Sequence, residues 1–137
     1  MIYLLDTNTL VYALNHRGGV RERIHDASLR NGMATSSVAV AELLYGAGRS
    51  SRPEENRRVV LRGIQRFEIV PFTLSTAEHF ARLPTDLAAP GKTPPRVDLM
   101  IAATALELRA TPVTHDDDLL SAPIPALTVV DWYTPQG

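Results

Sequence analysis

Four acidic residues stand far apart in this 137-residue chain, each near a point where the sequence passes from one predicted element to the next. They are Asp6, Glu42, Asp98 and Asp116. Only a fold can bring residues so distant together, and gathered carboxylates repel one another unless cations neutralise them. Carboxylate oxygens are hard ligands that suit Mg²⁺ or Mn²⁺. The pattern therefore predicts a site for one or two divalent cations, of the kind that hydrolyses phosphodiester bonds.

Two short apolar runs predict the strands that carry two of these acids. Ile2–Leu5 is too short for a helix and is typical of a buried parallel strand, which places Asp6 at its C-terminal end. Thr111–Thr114 predicts a second strand, with Asp116 just past its end. Sites in open parallel sheets lie beyond the carboxyl ends of the strands. We therefore expect these two carboxylates to meet at one edge of the sheet.

The other two acids lie on predicted helices. Ser36 and Ser37 are suitable N-cap residues for a helix that contains Glu42. Asp98 opens the most apolar helix in the chain, LMIAATALEL, which is expected to be buried on most sides. Both helix starts would bring their carboxylates towards the same edge of the sheet.

The remaining elements complete a regular alternation of strands and helices. It predicts a three-layer α/β/α fold with a central, mostly parallel sheet, and the length suits a single domain over residues 1–137. The further predictions are a helix over Val20–Leu29, a strand over Met33–Thr35, a helix over Glu54–Phe67, a strand over Ile69–Thr73, a capping box of Ser75 and Glu78, a loop over Pro84–Pro95 and a strand over Leu127–Val130.

Composition narrows the class of protein. The net charge of −1 excludes the strongly basic body that grips nucleic acid by bulk electrostatics, so any such affinity must be local or depend on metal. The absence of cysteine excludes disulfides, thiolate zinc sites and thiol nucleophiles. No signal-peptide pattern opens the chain, and no run approaches the ~20 apolar residues of a membrane span. We expect a soluble, cytoplasmic protein without membrane contact.

A metal-activated water that attacks phosphorus in line is the expected mechanism at such a site. We expect Asp6 and Asp98 to bind the cation directly. Glu42 and Asp116 would complete or orient the site. Side chains beside the acids that can hydrogen-bond to a carboxylate or a bound water are Thr7, Asn8 and Thr114.

A purely structural role competes with the catalytic one at each acid. Asp6 could simply begin a turn, and Asp98 could be a helix N-cap, which is the favoured interpretation for that residue alone. Glu42 is harder to explain, because a carboxylate among apolar neighbours is costly to bury unless it is paired or metal-bound. The alternative for Glu42 is an exposed position on its helix.

The run Asp116–Asp118 leaves the identity of the fourth acid open. Asp116 is preferred because it follows the predicted strand most closely. For Asp117 and Asp118, a solvated loop is the favoured interpretation. All three remain candidates from the sequence alone.

Several motifs, taken in order, resemble one family. They are LLDTNTL, SSVAVAELLYG, LMIAATAL after Asp98, VTHDDDL and the terminal TVVDWY. Together they make the chain similar to the PIN-domain ribonucleases, and among them to the VapC toxins of type II toxin–antitoxin systems. The resemblance implies that Asp6, Glu42, Asp98 and Asp116 form the acidic site and that catalysis depends on Mg²⁺ or Mn²⁺. It also implies endonucleolytic cleavage of RNA, a homodimer, and neutralisation by a VapB antitoxin whose C-terminal segment occupies a groove near the active site.

Two other functions remain open. A PIN-like module could bind RNA or protein without cutting. A haloacid-dehalogenase-like phosphatase is a weaker alternative, because the run from Asp6 to Thr9 partly mimics the nucleophile loop of those enzymes but Asn8 replaces their second aspartate. The sequence carries no readable code for which RNA is cleaved.

Overall fold

The structure, a computed structural model, describes residues 1–84, 94–122 and 124–135. Within these ranges, strands and helices alternate along most of the chain. In chain order they are β1 (Ile2–Leu5), α1 (Thr7–Leu14), α2 (Val20–Ser28), β2 (Gly32–Ser36), α3 (Ser37–Gly48), α4 (Pro53–Gly63), β3 (Glu68–Val70), α5 (Leu74–Ala81), α6 (Arg96–Leu108), β4 (Thr111–Val113) and α7 (Asp117–Leu120).

The four strands form one sheet in the order β3-β2-β1-β4, and every pair is parallel. Leu5 pairs with Thr35 on one side and with Val113 on the other. The predicted three-layer α/β/α fold with a parallel sheet is confirmed. Since the chain adds β2 and β3 on one side of β1 and β4 on the other, the strand order reverses at the β1–β4 crevice.

The sheet and its helices share one main hydrophobic core. Leu4, Leu5, Ala34 and Val113 are fully buried, and Ile101 of α6 packs in the same cluster. Burial of the strands explains why β1 is an uninterrupted apolar run rather than an alternating one. A smaller cluster lies between α6 and the C-terminal segment and is described with the site below.

Two predicted strands differ from those observed. The strand expected over Ile69–Thr73 is Glu68–Val70, at the edge of the sheet, because Pro71 lacks the N–H that would continue the ladder. The strand expected over Leu127–Val130 was wrong in extent. Only Val130 forms a bridge, parallel to Val113.

The helix starts also correct the sequence predictions. The capping box that begins α5 is formed by Thr73 and Thr76, not by Ser75 and Glu78. Thr76 is fully buried, and its hydroxyl also donates to Glu107 at 2.8 Å. The contact of the buried Thr76 with Glu107 on α6 therefore decides the register of this cap.

Other boundaries lie close to expectation. Val20–Ser28 matches the predicted Val20–Leu29 helix, and β2 includes the predicted Met33–Thr35. The helix predicted over Glu54–Phe67 ends earlier, at Gly63. Most of the loop predicted over Pro84–Pro95 lies outside the described residues. In the part of the chain that is described, no helix combines the length and apolar character needed to cross a bilayer.

Candidate metal centre

Asp6 lies at the crevice where the strand order reverses. Its backbone N–H donates to Val113 O at 3.1 Å, which continues the β1–β4 pairing by one residue. Its side chain caps α1, because Oδ1 accepts the backbone N–H of Thr9 at 2.8 Å. The carboxylate is therefore fixed both by the sheet and by the helix that follows it.

Burial makes this carboxylate expensive to ionise. Asp6 is only 3% exposed, and desolvation raises its pKa above the ordinary range of aspartate. Interactions with Thr114 and Thr9 lower the pKa only in part, and the charge of Asp116 raises it further. A positive charge beside Asp6 would reverse this penalty.

Asp98 lies in the first turn of α6, not at its N-cap. The helix begins at Arg96 after Pro95, and no N-cap bond from Asp98 is present. Its Oδ2 is buried and has no hydrogen-bond partner in the described part of the chain. The N-cap role considered for this residue is therefore wrong, and its unpartnered oxygen is available to a ligand.

The pKa of Asp98 shows which acids are near it. Desolvation and then the negative charges of Asp116, Asp6, Glu42 and Asp118 raise this pKa to about 7. The three other predicted acids therefore lie near enough to Asp98 for their charges to act on it. The structure adds Asp118 as a fifth.

Asp98, Asp116 and Asp118 form the tightest group. One carboxylate oxygen from each lies within 4.8 Å of the other two. Asp116 is the N-cap of α7, and its Oδ1 accepts the backbone N–H of Asp118 at 2.9 Å. The prediction that Asp118 belongs to a solvated loop is wrong, whereas Asp117 is exposed and lies outside this group.

Hydrophobic packing holds α7 in place. Leu119 is 1% exposed and packs with Ala102 of α6 and with Ile124. Ala102 lies one helical turn beyond Asp98, so the same packing that buries Leu119 brings α7 to the start of α6. This small core positions Asp118 relative to Asp98.

Glu42 is exposed on α3, which resolves the question of its burial in favour of an accessible position. Its Oε1 accepts a short hydrogen bond from the hydroxyl of Thr7, at the start of α1. Glu42 therefore lies at the open side of the site, and Thr7 orients its carboxylate.

The three polar neighbours expected to support the acids behave differently. Thr7 contacts Glu42, and the fully buried Thr114 lies beside Asp6 while its Oγ1 accepts the backbone N–H of Asp116 at 3.0 Å. Asn8 is exposed, and its side chain forms no hydrogen bond with the described residues. Thr9 takes the place expected for Asn8, since it bonds both Asp6 and Val113 O.

The sequence did not single out Thr9, and it gave Asp118 only as a less favoured candidate than Asp116. A capping signal could have found Thr9, because an N-cap aspartate bonds the backbone N–H two or three residues later. Leu119 and Leu120 were a signal for Asp118, since an apolar pair directly after an aspartate anchors that aspartate to a core. The site has the donors that a hard divalent cation requires: several carboxylates and one buried, partnerless oxygen.

Two grooves lie beside α1: the first is lined by α1, α3 and α4, and the second by α1, α2, α4 and the residues that follow α4. The first, of about 310 Å³, begins at Thr7 and Glu42 and passes Gly46. The second, of about 440 Å³, is lined by apolar side chains together with Arg21, Arg62 and Arg66. Leu14 and Val59 line both grooves, so the two lie side by side.

Comparisons with known proteins agree with this arrangement. Residues 3–124, which include all five acids, match the family model of the PIN domain. The chain is 34% identical over 133 residues to ribonuclease VapC2 of Rickettsia felis, covering 96% of this chain and 98% of that protein. It is 32% identical over 131 residues to the tRNA(fMet)-specific endonuclease VapC of Salmonella typhimurium, covering 95% and 97%. The crystal structure of VapBC2 from Rickettsia felis, bound to a DNA fragment from its promoter, matches with a TM-score of 0.86 at 33% identity, covering 96% of this chain and 99% of that one.

Thr114→Val tests the polar support of the site. The change keeps the shape of a fully buried side chain but leaves the Asp116 N–H without its acceptor. We expect a loss of about 1–3 kcal/mol in the free energy of unfolding, measured by urea denaturation. Asn8→Ala is the control and should change stability by less than about 0.5 kcal/mol. Equal stability of the two variants would contradict the role given to Thr114.

Asp98→Asn tests the electrostatic cost of the cluster. With a pKa raised to about 7, the Asp98 carboxyl binds its proton more tightly in the folded than in the unfolded chain. Its contribution to stability is therefore fully present below about pH 4 and is lost as the pH rises through about 7. In chelator, Asp98→Asn should become more stable relative to the wild type between pH 5 and pH 8.

We expect this relative gain to be on the order of 1 kcal/mol, because Asp98 is only partly buried and solvent screens much of the repulsion. Thermal unfolding at the two pH values measures it. Asp117→Asn removes a neighbouring charge outside the cluster and should show no such pH-dependent gain. A constant difference between Asp98→Asn and wild type at both pH values would refute the raised pKa.

Proposed function

Because the chain belongs to the PIN-domain family, and within it to the VapC ribonucleases, we propose that it is a metal-dependent endoribonuclease. It acts as the toxin of a toxin–antitoxin pair and hydrolyses phosphodiester bonds of RNA to stop translation and growth. The observation that carries the proposal is the convergence of Asp98, Asp116 and Asp118 within 4.8 Å, beside the buried Asp6.

Residues of this chain would divide the work of such a reaction. Asp6, Asp98, Asp116 and Asp118 would hold Mg²⁺ or Mn²⁺, with Glu42 at the open side. When bound, the cation stabilises the charge on the phosphate oxygens and supplies a nucleophilic water at neutral pH. Thr7 orients the carboxylate of Glu42 through a hydrogen bond. Thr114 orients the loop of Asp116, because the Thr114 hydroxyl accepts the backbone N–H of Asp116. The backbone N–H of Thr9 holds the carboxylate of the buried Asp6 in position.

The phosphatase alternative finds no support here. A nucleophilic aspartate of that kind needs a second carboxylate two residues later, and Asn8 at that position is exposed and bonds nothing in the described residues. A non-catalytic PIN-like module remains the main rival. The activity test below separates the two.

The substrate and setting are also proposals. A relative from Salmonella typhimurium is a tRNA(fMet)-specific endonuclease, which makes transfer RNA the first substrate to test.

The lack of cysteine suits a reducing compartment, and we place the activity in the cytoplasm. The resemblance also implies a homodimer. Light scattering that showed a monomer at high concentration would count against that part.

Asp98 of α6 and the neighbouring Asp117 and Asp118 of α7 offer a matched test of nuclease activity. Asp98→Asn and Asp118→Asn should each lower kcat/KM for RNA cleavage in Mg²⁺ or Mn²⁺ by at least about 100-fold, because each removes a carboxylate from the cation site. Asp117→Asn removes an equal charge one residue away and should keep nearly full activity. Cleavage is measured on purified transfer RNA, with ends mapped by sequencing.

Activity of Asp98→Asn equal to the wild type would contradict the proposal. A wild-type protein that binds RNA but does not cut it would favour the non-catalytic module. If Asp118→Asn alone keeps full activity, the nuclease stands, but Asp118 is not part of its cation site.

The two adjacent grooves suit a segment of an antitoxin. The structural relative from Rickettsia felis is a VapBC complex, and we propose a VapB-type partner here. The apolar lining of the larger groove fits an amphipathic segment, and Arg21, Arg62 and Arg66 fit acidic side chains on it. The smaller groove would lead the end of that segment to Glu42.

Charge reversal tests this partner surface. The double variant Arg62→Glu/Arg66→Glu, in an Asp98→Asn background, should bind the product of the neighbouring reading frame roughly tenfold more weakly at low salt, equivalent to about 1.4 kcal/mol. Arg57→Glu is the control, because Arg57 also lies on α4 but lines neither groove. Surface plasmon resonance gives the affinities. Equal affinity of both variants and the Asp98→Asn parent would place the antitoxin elsewhere.

A further inference from the structure

We infer that Tyr45 and Arg49 form a binding site for the RNA nucleotide that flanks the scissile phosphate. This inference rests on the proposed function, because it needs RNA in the site. It assigns a role to Tyr45 on α3 and to Arg49, the C-cap residue of that helix, neither of which belongs to the acidic cluster. Neither residue lines the larger groove proposed for the antitoxin.

Tyr45 and Arg49 lie on the same side of α3 as Glu42. Tyr45 is one turn beyond Glu42, and Arg49 is close to two turns beyond it, about 10 Å along the helix axis. The distance is one that a nucleotide next to the scissile phosphate covers. The pair therefore lies within reach of an RNA strand that leaves the acidic cluster along α3.

The two side chains already form a stack. The Arg49 guanidinium lies 3.8 Å from the centroid of the Tyr45 ring. Tyr45 is nevertheless 62% exposed, so much of its side chain is accessible to a ligand. Unpaired bases stack on tyrosine rings and on arginine planes, so this pair offers a platform for a base.

The surface beside this platform is open. A Cβ added at Gly46 or at Gly48 would meet no atom within 4 Å. Gly46 lies between Glu42 and Arg49 on the helix and lines the smaller groove. The missing side chain leaves room for a sugar and phosphate to lie against α3.

The charge also fits a phosphate. Arg49 forms no salt bridge within the described ranges, whereas nearby Arg52 is paired with Glu55 at 3.2 Å. An unneutralised guanidinium near a cluster of acids would offset the repulsion that those acids exert on an incoming polyanion. Arg49 therefore offers a phosphate contact as well as a stacking surface.

The test compares Tyr45→Ala, Tyr45→Phe and Arg49→Ala in otherwise wild-type protein, with Arg57→Ala as the control on an exposed arginine of α4. The probes are short single-stranded RNA oligonucleotides of known cleavage site, intact or with an abasic nucleotide next to that site. Kinetics in Mn²⁺ gives KM and kcat. Fluorescence anisotropy in Ca²⁺ gives binding independently of cleavage.

We expect Tyr45→Ala and Arg49→Ala to raise KM about tenfold and to weaken binding by a similar factor, with kcat unchanged, because stacking on an aromatic residue contributes about 1–3 kcal/mol per base. Tyr45→Phe, which keeps the ring, should behave as the wild type, as should Arg57→Ala. On the abasic RNA, Tyr45→Ala should lose its effect, since no base remains to stack.

Three results would overturn the inference. The first is a Tyr45→Ala protein that binds and cleaves intact RNA as the wild type does. The second is an equal loss on intact and abasic RNA. The third is a change of oligomeric state in Tyr45→Ala by light scattering, which would make a second copy of the chain the occupant of this surface. If the wild type binds RNA without cutting it, the proposed nuclease fails, while the anisotropy data still decide the role of Tyr45.

Discussion

Pairing between β1 and β4 is the constraint on which the site depends. It places Leu5 opposite Val113. Asp6 is the first residue after β1, and Asp116 is the third residue after β4. The Asp6 N–H and the Thr9 hydroxyl both bond to Val113 O, which ties the start of α1 to the same strand. Two carboxylates are thereby held at one edge of the sheet, and that of Asp6 is buried away from water.

Conflict between burial and charge explains the character of the site. Desolvation raises the pKa of Asp6, and desolvation together with four neighbouring acids raises that of Asp98 to about 7. The fold maintains this unfavourable arrangement with apolar packing on both sides. The main core holds β1, and the small core around Leu119 holds α7. A divalent cation converts the same arrangement from a source of repulsion into a binding site.

Patterns that depend on neighbouring residues could be predicted from the sequence. The apolar run before Asp6 and the alternation of strands and helices were sufficient to predict a parallel sheet. The positions of Asp6 and Asp116 after predicted strands were sufficient to predict that the two acids lie close together. The family resemblance then placed Glu42 and Asp98 with them. Features that depend on distant partners could not be predicted in this way. The cap of α5 is set by Thr76 because Glu107 on another helix accepts its hydroxyl.

Asp118 shows the same limit within the site. Three consecutive aspartates are equivalent in sequence, and only the burial of Leu119 against Ala102 decides which of them turns inward. The exposure of Glu42 could not be decided from the sequence either, because the position of α1 beside α3 determines what covers the face of α3 that carries Glu42. In each case the missing information was the packing of one helix on another.

Calorimetric titration of the wild-type chain with Mn²⁺ tests the central claim most directly. Asp117→Asn serves as a matched control, and Asp98→Asn removes the acid that the other four surround. We predict saturable binding to the wild type and to Asp117→Asn, and its loss in Asp98→Asn. Absence of binding to the wild type, or unchanged binding in Asp98→Asn, would contradict the assignment of this acidic cluster as a metal centre.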